Sequence, residues 1–405
     1  MKILQITHRL PLPPIDGGKK GILGFTREYS ARLGRENFAL FCLAPKEELN
    51  VDISELKTLA GFCQVSYGDY KNRPLGLIWN TLSCEFTSYN MRKYISSHVL
   101  DEIVSLVQRF HPNVIHCDHL HMAWYACEVK KRFPEMVIAL REHNVESTIV
   151  GRYAEREANP IKKRILDLQA RKLFRYEARM LSRFDLVLPI TDQDAERVAT
   201  MAPGVHQITV PAGTNFAPQL PPSPARNLSP KRLISVAAMD WLPNQDGLIW
   251  FIEQVLSRLR AEGEDVILEI AGKNTPPDYQ KYACHDVLVH GFIPDLSKML
   301  SEAFLAIVPL HVGGGMRVKI LDYFGQGVPV VSTSIGAEGI CSANDKCALI
   351  ADTPREFAEA IQSLLRDPAL REEIRTNAYR KCCDTYSWPA IVDQVLQALS
   401  ELCKG

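Results

Sequence analysis

The sequence predicts an α/β protein of two consecutive domains, each a Rossmann-like, doubly wound parallel sheet flanked by helices. Short runs rich in β-branched residues alternate with amphipathic stretches almost throughout, the pattern of βαβ units. That alternation breaks once, at TNFAPQLPPSPARNLSP (214–230), which is rich in proline and lacks periodic apolar positions. The chain's 405 residues are also more than a single core usually organises.

In the first half, strands are predicted at 2–7, 38–43, 114–117, 137–141, 186–190 and 207–210, with helices at 21–33, 122–132, 161–183 and 192–200. Beyond the Pro-rich hinge, strands are predicted at 233–237, 266–271, 287–289, 305–309 and 328–332, with helices such as 247–260 and 355–365 between them. A last amphipathic helix at 389–402 carries Ile391, Val392, Val395, Leu396 and Leu399 on one face. The expected organisation is an N-terminal domain over 1–213, a hinge over 214–230, a second domain over 231–386 and a final segment over 387–405.

Apolar content of 46% and charged content of 23% are those of an ordinary globular protein, and zero formal net charge argues against a global electrostatic grip on nucleic acid. The 11 cysteines show no metal-site spacing: no pair is written C-x-x-C, and Cys382 and Cys383 are adjacent. Scattered thiols suggest a reducing compartment. The opening MKILQITHRLPLPP is too short, and too broken by His8, Arg9 and prolines, for a secretory leader. No stretch approaches the ~18 apolar residues of a membrane span. The expectation is a soluble, cytoplasmic protein, at most peripheral at the inner membrane face.

Two loops carry chemistry. After the first strand the chain runs HRLPLPPIDGGKKG into a helix. Gly17 and Gly18 let backbone approach a ligand, and the helix N-terminus favours an anion. The proline-rich stretch between strand and glycines does not fit the tight turn of a dinucleotide fingerprint, which weakens a dehydrogenase reading. Taken alone, the glycine pair serves a turn as readily as a ligand. The sharper signal is HVGGGMRVKILDYFGQGVPVV (311–331). Gly313, Gly314 and Gly315 at a strand-to-helix junction expose backbone N–H groups, and Met316 leads into a helix. Arg317 and Lys319 put two cations in the same turn, a match for a diphosphate, and Asp322 one turn on can accept from a diol such as ribose.

His143, in REHNVE, follows a predicted parallel strand, where α/β sites collect. HCDHLH (116–121) clusters histidines with an aspartate, but in no standard zinc spacing, and no metal is expected. Asp118 and His119, at a strand end, are candidates for facing a second ligand. Over 152–183 basic residues outnumber acidic ones, Lys162, Lys163, Arg164, Arg171, Lys172, Arg175 and Arg179 among them. A solvated helix is the plain reading; a patch facing an anionic bilayer is the sharper one.

The run LDYFGQGVPVV resembles the signature of retaining glycosyltransferases of the GT-B fold, family 4, which is a Glu, seven residues, then a second Glu in a context like LEAMA-x-G-x-PVV. Here Asp322 stands at the second Glu and Gly314 at the first. VAAMDWLPNQDGLIWFIEQV, LEIAGKN, HGFIPDLSKML and TYSWPAIVDQVL are similar to the family pattern in order and spacing. Many members carry an Arg and a Lys for the donor phosphates in the first of these loops. The stretch 239–247 has neither, and Arg317 and Lys319 read as the compensation.

The resemblance implies two Rossmann-like domains facing each other across a cleft, with a final helix that returns to the first domain. It implies a sugar-nucleotide donor (a UDP-, GDP- or dTDP-sugar), no metal or other cofactor, and transfer of a hexose-type sugar to a hydroxyl of a glycan, lipid-linked or other acceptor, as in polysaccharide biosynthesis. It puts Phe292 and Ile293 against the nucleobase and His143 against the sugar or its phosphate. Two alternatives stay open: a GT-B-like sugar-nucleotide epimerase and a catalytically silent relative.

Overall fold

A computed structural model describes residues 1–83, 87–214, 216, 219–221, 229–313 and 316–404, the side chains at 156 and 343 excepted. The chain divides into two compact units. Unit 1 is Met1–Ala212 with Trp388–Gly405, and unit 2 is Gly213–Ser387.

Unit 1 is built on six parallel strands: β1 (Ile3–Thr7), β2 (Phe38–Pro45), β3 (Phe62–Gly68), β4 (Val114–Asp118), β5 (Val137–Glu142) and β6 (Leu186–Pro189). Their order is β3-β2-β1-β4-β5-β6. Strands buried on both faces are mostly apolar, and β1, β4 and β5 are buried at every position, their polar residues Gln5, Thr7, His116, Asp118, Arg141 and Glu142 included. Among the described residues, the α-helices before unit 2 are α1 (Gly17–Leu33), α2 (Ser54–Leu59), α3 (Pro74–Leu82), α4 (Tyr89–Arg92), α5 (Ser97–Phe110), α6 (Ala123–Arg132), α7 (Glu146–Arg156), α8 (Pro160–Leu181) and α9 (Asp192–Met201). Alternate strand residues feed the two faces. Leu4, Ile6 and Ile115 pack with Ile103, Val129 and Leu173 from α5, α6 and α8. Ile3, Leu40 and Val114 pack with Phe25 and Tyr29 of α1 and with Trp388, Ile391 and Val395.

Unit 2 repeats the plan with β7 (Lys231–Val236), β8 (Val266–Ala271), β9 (Val287–Gly291), β10 (Leu305–Val308), β11 (Val330–Ser332) and β12 (Leu349–Ile350), ordered β12-β11-β10-β7-β8-β9 and parallel. Its helices are α10 (Leu242–Trp250), α11 (Ser257–Ala261), α12 (Ser297–Glu302), α13 (Val318–Gly325), α14 (Ser334–Ala337), α15 (Pro354–Arg366) and α16 (Pro368–Thr385). The last helix, α17 (Trp388–Leu402), belongs to unit 1 and lies along α1.

Three expectations change. Residues 207–210 form no strand, only a bridge from Gln207 to Val187 beside the short edge strand β6. The helix expected at 247–260 starts earlier, at Leu242, and passes through a π-helical turn at Phe251–Leu256 before α11. Of the Pro-rich hinge, 215, 217–218 and 222–228 lie outside the described residues, while Thr214 pairs with Ser387. Cys341 and Cys347 are joined in a disulfide, which the cysteine spacing did not suggest. No described helix is long and apolar enough to cross a membrane.

Each sheet reverses its winding beside its first strand, between β1 and β4 and between β7 and β10. Ligands of doubly wound sheets bind outside the carboxyl ends of the strands at such points, because the loops on either side part there.

Candidate functional site

In unit 1 the carboxyl ends of β1, β4 and β5 bring together five histidines, an aspartate and an arginine. Asp118, the last residue of β4, is fully buried and organises them. Its Oδ2 accepts from Gln5 Nε2, and its Oδ1 lies 3.0 Å from His143 Nε2 and 3.6 Å from Arg141 Nη1. Burial alone would raise its pKa, but His116, His143 and Arg141 outweigh that and hold it well below the usual carboxylate value.

His143 follows β5. Its ring is stacked on His119 at 3.6 Å, with 9° between the planes. Arg141 Nη1 lies 3.1 Å from the same Nε2, so the proton on that nitrogen selects the bond: protonated it donates to Asp118, bare it accepts from Arg141. Burial, then the charge of Arg141, lowers the His143 pKa to about 4, and the ring is neutral at pH 7. His8, directly after β1, stacks on His121 at 4.2 Å and meets His119 edge-on at 4.5 Å. Burial lowers His8 and His119 well below the ordinary imidazole value and His121 to about 3. The Nδ1 atoms of His8, His119 and His121 are buried with no hydrogen-bond partner among the described residues. Orphaned ring nitrogens of this kind are what a polar ligand satisfies.

The start of α1 closes on this cluster. Asp16 caps the helix by accepting from Lys19 N at 2.9 Å and pairs with Arg9 at 3.0 Å. A Cβ at Gly18 would stand 2.9 Å from Arg9 Nη1 and 3.7 Å from His119 Nε2, and one at Gly21 would stand 3.1 Å from both Arg141 Nη1 and His143 Cε1. Gly18 thus adjoins the cluster, Gly17 begins the helix beside it, and Gly21 is a third close approach that the sequence did not single out.

Asp118, His119 and His143 offer donor atoms within 4.8 Å of one another. Two parallel stacked rings direct their lone pairs side by side rather than onto one point, and Asp118 already meets Gln5, His143 and Arg141. Hydrogen bonding suits this set better than metal ligation. Behind it, burial raises Glu142 well above the carboxylate range and Glu146 and Glu177 to about 7. Glu177 accepts from the backbone N–H groups of Glu146 and Ser147 at the start of α7.

In unit 2 the loops after β7 and β10 converge. Gly247 lets α10 approach β10's end, since a Cβ there would stand 2.2 Å from Pro309 O. Tyr323 of α13 accepts from Val236 N at 2.8 Å, tying α13 to β7. Arg317, at the N-cap of α13, lays its guanidinium 5.2 Å from the Trp241 ring, and Gly313, at φ +156°, leaves room for it. Lys319 Nζ donates to Asn244 Oδ1 at 3.1 Å, and Asn244 is held in turn by Ala238 O at 2.8 Å. Both cations therefore reach the stretch 239–247, which has no basic residue of its own. Burial, then the charge of Arg317, lowers the Lys319 pKa to about 7. Asp322 accepts from Thr214 Oγ1 at 3.2 Å. Met316 is buried beside Arg317, whereas Phe292 is 55% exposed after β9. Ile293 is partly buried, and Gly314 and Gly315 lie outside the described residues. Trp241 and Asn244 are site residues that sequence reasoning missed.

Residues 230–367 match the family described as Glycosyl transferases group 1. Over 167 residues the chain is 26% identical to an "Uncharacterized 44.6 kDa protein in cps region" of Klebsiella pneumoniae, covering 39% of this chain and 43% of that one. Over 94 residues it is 29% identical to "Glycosyltransferase 1 domain-containing protein 1" of Xenopus tropicalis, covering 23% and 27%. The chain thus spans less than half the length of these relatives. Among solved structures, it resembles sucrose-phosphate synthase from Thermosynechococcus elongatus with TM-score 0.74 and 16% identity, over 99% of each chain. It resembles Anabaena HepE in complex with UDP with TM-score 0.67 and 12% identity, over 99% of this chain and 100% of that one. The match at 230–367 marks a glycosyltransferase domain in unit 2, and the structural likenesses establish the two-unit α/β fold.

Proposed function

We propose that the chain is a retaining glycosyltransferase, of the family 4 type, that moves a hexose-type sugar from a nucleoside diphosphate to an acceptor hydroxyl. The observation that carries the reading is the pair Arg317 and Lys319, gathered on Trp241 and Asn244 at the switch point of unit 2, inside the stretch matched to glycosyl transferases. Anabaena HepE was solved with UDP, which supports a nucleotide of that kind as the donor's carrier.

Breaking the glycosyl–oxygen bond leaves negative charge on the diphosphate. Arg317, a protonated Lys319 and the N–H groups of the glycine-rich loop stabilise that charge, in place of a catalytic metal or other cofactor. The acceptor oxygen forms the new bond to the anomeric carbon on the face the diphosphate leaves, and the acceptor proton passes to a leaving phosphate oxygen. Asp322 binds the ribose diol, and Phe292 and Ile293 lie along the base. In unit 1, neutral His143 is a hydrogen-bond partner for the sugar or its phosphate, not an acid. His8, His119 and His121 offer their orphaned nitrogens to acceptor hydroxyls. Asp118, being fully buried, orients His143 rather than touching the acceptor. The acceptor belongs to polysaccharide or other glycoconjugate synthesis in the cytoplasm, where sugar nucleotides are made.

A thermal-shift screen against UDP-, GDP- and dTDP-sugars tests the donor, since a bound donor raises apparent stability by mass action. Product analysis then separates the alternatives. An epimerase changes the sugar without an acceptor, and a silent relative binds without turnover. If Arg317→Ala leaves donor affinity and turnover unchanged, the phosphate assignment is wrong.

A further inference from the structure

Helix α3 carries an apolar stripe that no described residue covers. Leu75, Ile78, Trp79 and Leu82 recur at i, i+3, i+4 and i+7, so they share one side of the helix. They are 82%, 50%, 76% and 79% exposed. Single exposed apolar residues are ordinary, but a contiguous stripe marks a docking surface.

The opposite side of α3 is pinned to α8. Asn80, 3% exposed, accepts from Gln169 Nε2 at 3.0 Å, and the Lys172 ammonium donates to the carbonyls of Asn80 and Ser83 at the helix's end. Helix α8 is basic along its length, with Lys162, Lys163, Arg164 and Arg171 exposed. Asn80 Nδ2 also donates to Thr87 O at 3.0 Å, and Thr87 borders a cavity of about 480 Å³ between α6 and α8. Lys131, Arg175, Arg179 and Arg183 line that cavity together with Glu128, which accepts from the Lys131 ammonium. Helix α8 therefore holds α3 through Gln169 and Lys172 and lines the cavity through Arg175 and Arg179.

We propose that α3 and this cavity form the surface by which unit 1 docks on an anionic lipid bilayer. The stripe enters the interfacial region, and the cavity cations hold headgroup phosphates. Charge decides between occupants. A two-fold contact with a second copy brings two basic α8 helices toward each other, whereas an anionic bilayer attracts the exposed cations of α8 and those of the cavity.

The test uses the full chain and phosphatidylcholine vesicles with and without phosphatidylglycerol, read by co-sedimentation. Binding to the anionic vesicles only, weakened by salt, is expected. Trp79→Ala with Leu82→Ser, and separately Arg179→Glu with Arg183→Glu, should each weaken it by about tenfold or more. The second pair keeps the test alive if the first unfolds, and both variants should keep wild-type sugar-nucleotide binding. Equal binding to neutral vesicles, no vesicle binding, or binding unchanged in both variants overturns the proposal. So does a lipid-free dimer that Trp79→Ala with Leu82→Ser dissociates, which gives the stripe to a second copy. None of these readouts depends on turnover, so the proposal fails or stands apart from the donor assignment.

Discussion

Replacing Lys319 with methionine should erase a proton uptake that accompanies donor binding. In the unliganded chain its ammonium is bonded to Asn244 Oδ1 beside Arg317, and its pKa is lowered to about 7 from 10.5. At pH 8 only about a tenth of the molecules carry that proton. A sugar nucleotide's diphosphate brings negative charge to the pair and restores the charged form, without a titrating group of its own near neutral pH. Binding should therefore take up about 0.9 proton at pH 8, about 0.5 at pH 7 and about 0.1 at pH 6. Because only the charged form holds the diphosphate well, Kd should weaken about tenfold from pH 6 to pH 8. Calorimetric titration in buffers of different ionisation enthalpy counts the protons directly. Lys319→Met should abolish the uptake and flatten the profile. The same shift affects stability. A lysine with a depressed folded pKa contributes stability that is complete above 10.5 and lost as pH falls through 7, so Lys319→Met should stabilise the free protein below pH 7. Uptake near zero in the wild type at pH 8, or uptake retained by the variant, would refute the reasoning.

Glu146 and Glu177, raised to about 7 by burial, contribute stability that is complete below 4.5 and lost as pH rises through 7. Denaturant unfolding should show that loss, and Glu146→Gln should reduce it; a wild type whose stability rises over the same window contradicts the assignment. Gly24→Ala places a Cβ 2.3 Å from the Trp388 ring, costing about 1–3 kcal/mol of overpacking against ~1 kcal/mol of helix propensity. Its melting temperature should fall, and Trp388→Ala should remove the penalty. His143→Ala, which removes a neutral hydrogen-bond partner of the developing charge, should lower turnover by about 10²–10³-fold, and wild-type turnover should show no His143 titration between pH 6 and pH 8. An unchanged turnover number places His143 outside the chemistry.

In unit 1 the strands buried on two faces were legible by their apolar residues, which run unbroken in β2 and are interrupted in β1, β4 and β5 only by Gln5, Thr7, His116, Asp118, Arg141 and Glu142. Edge strands were not. FCQVSYG (β3) is only partly buried and mixes polar with apolar residues, and β12 is two residues long. Helix α5 carries an apolar stripe in Val99, Leu100, Ile103, Leu106, Val107 and Phe110 but was not among the expected helices, and α16 has no such stripe. In the site, glycines and cations adjacent in sequence marked Arg317 and Lys319. Their partners Trp241 and Asn244 lie far away in sequence and meet them only because β7 neighbours β10. The unit 1 cluster follows the same rule. HCDHLH stood out as a cluster, but the contacts its residues make depend on His8, Arg141 and His143, which β1 and β5 bring alongside β4.

A crystal structure of the chain with UDP tests most directly whether the donor diphosphate lies at the start of α13. The predicted result is phosphate oxygens about 3 Å from the Arg317 guanidinium and the Lys319 ammonium, with the ribose hydroxyls on Asp322. A diphosphate bound elsewhere in unit 2, with Lys319 still on Asn244 and Arg317 still on Trp241, would contradict it.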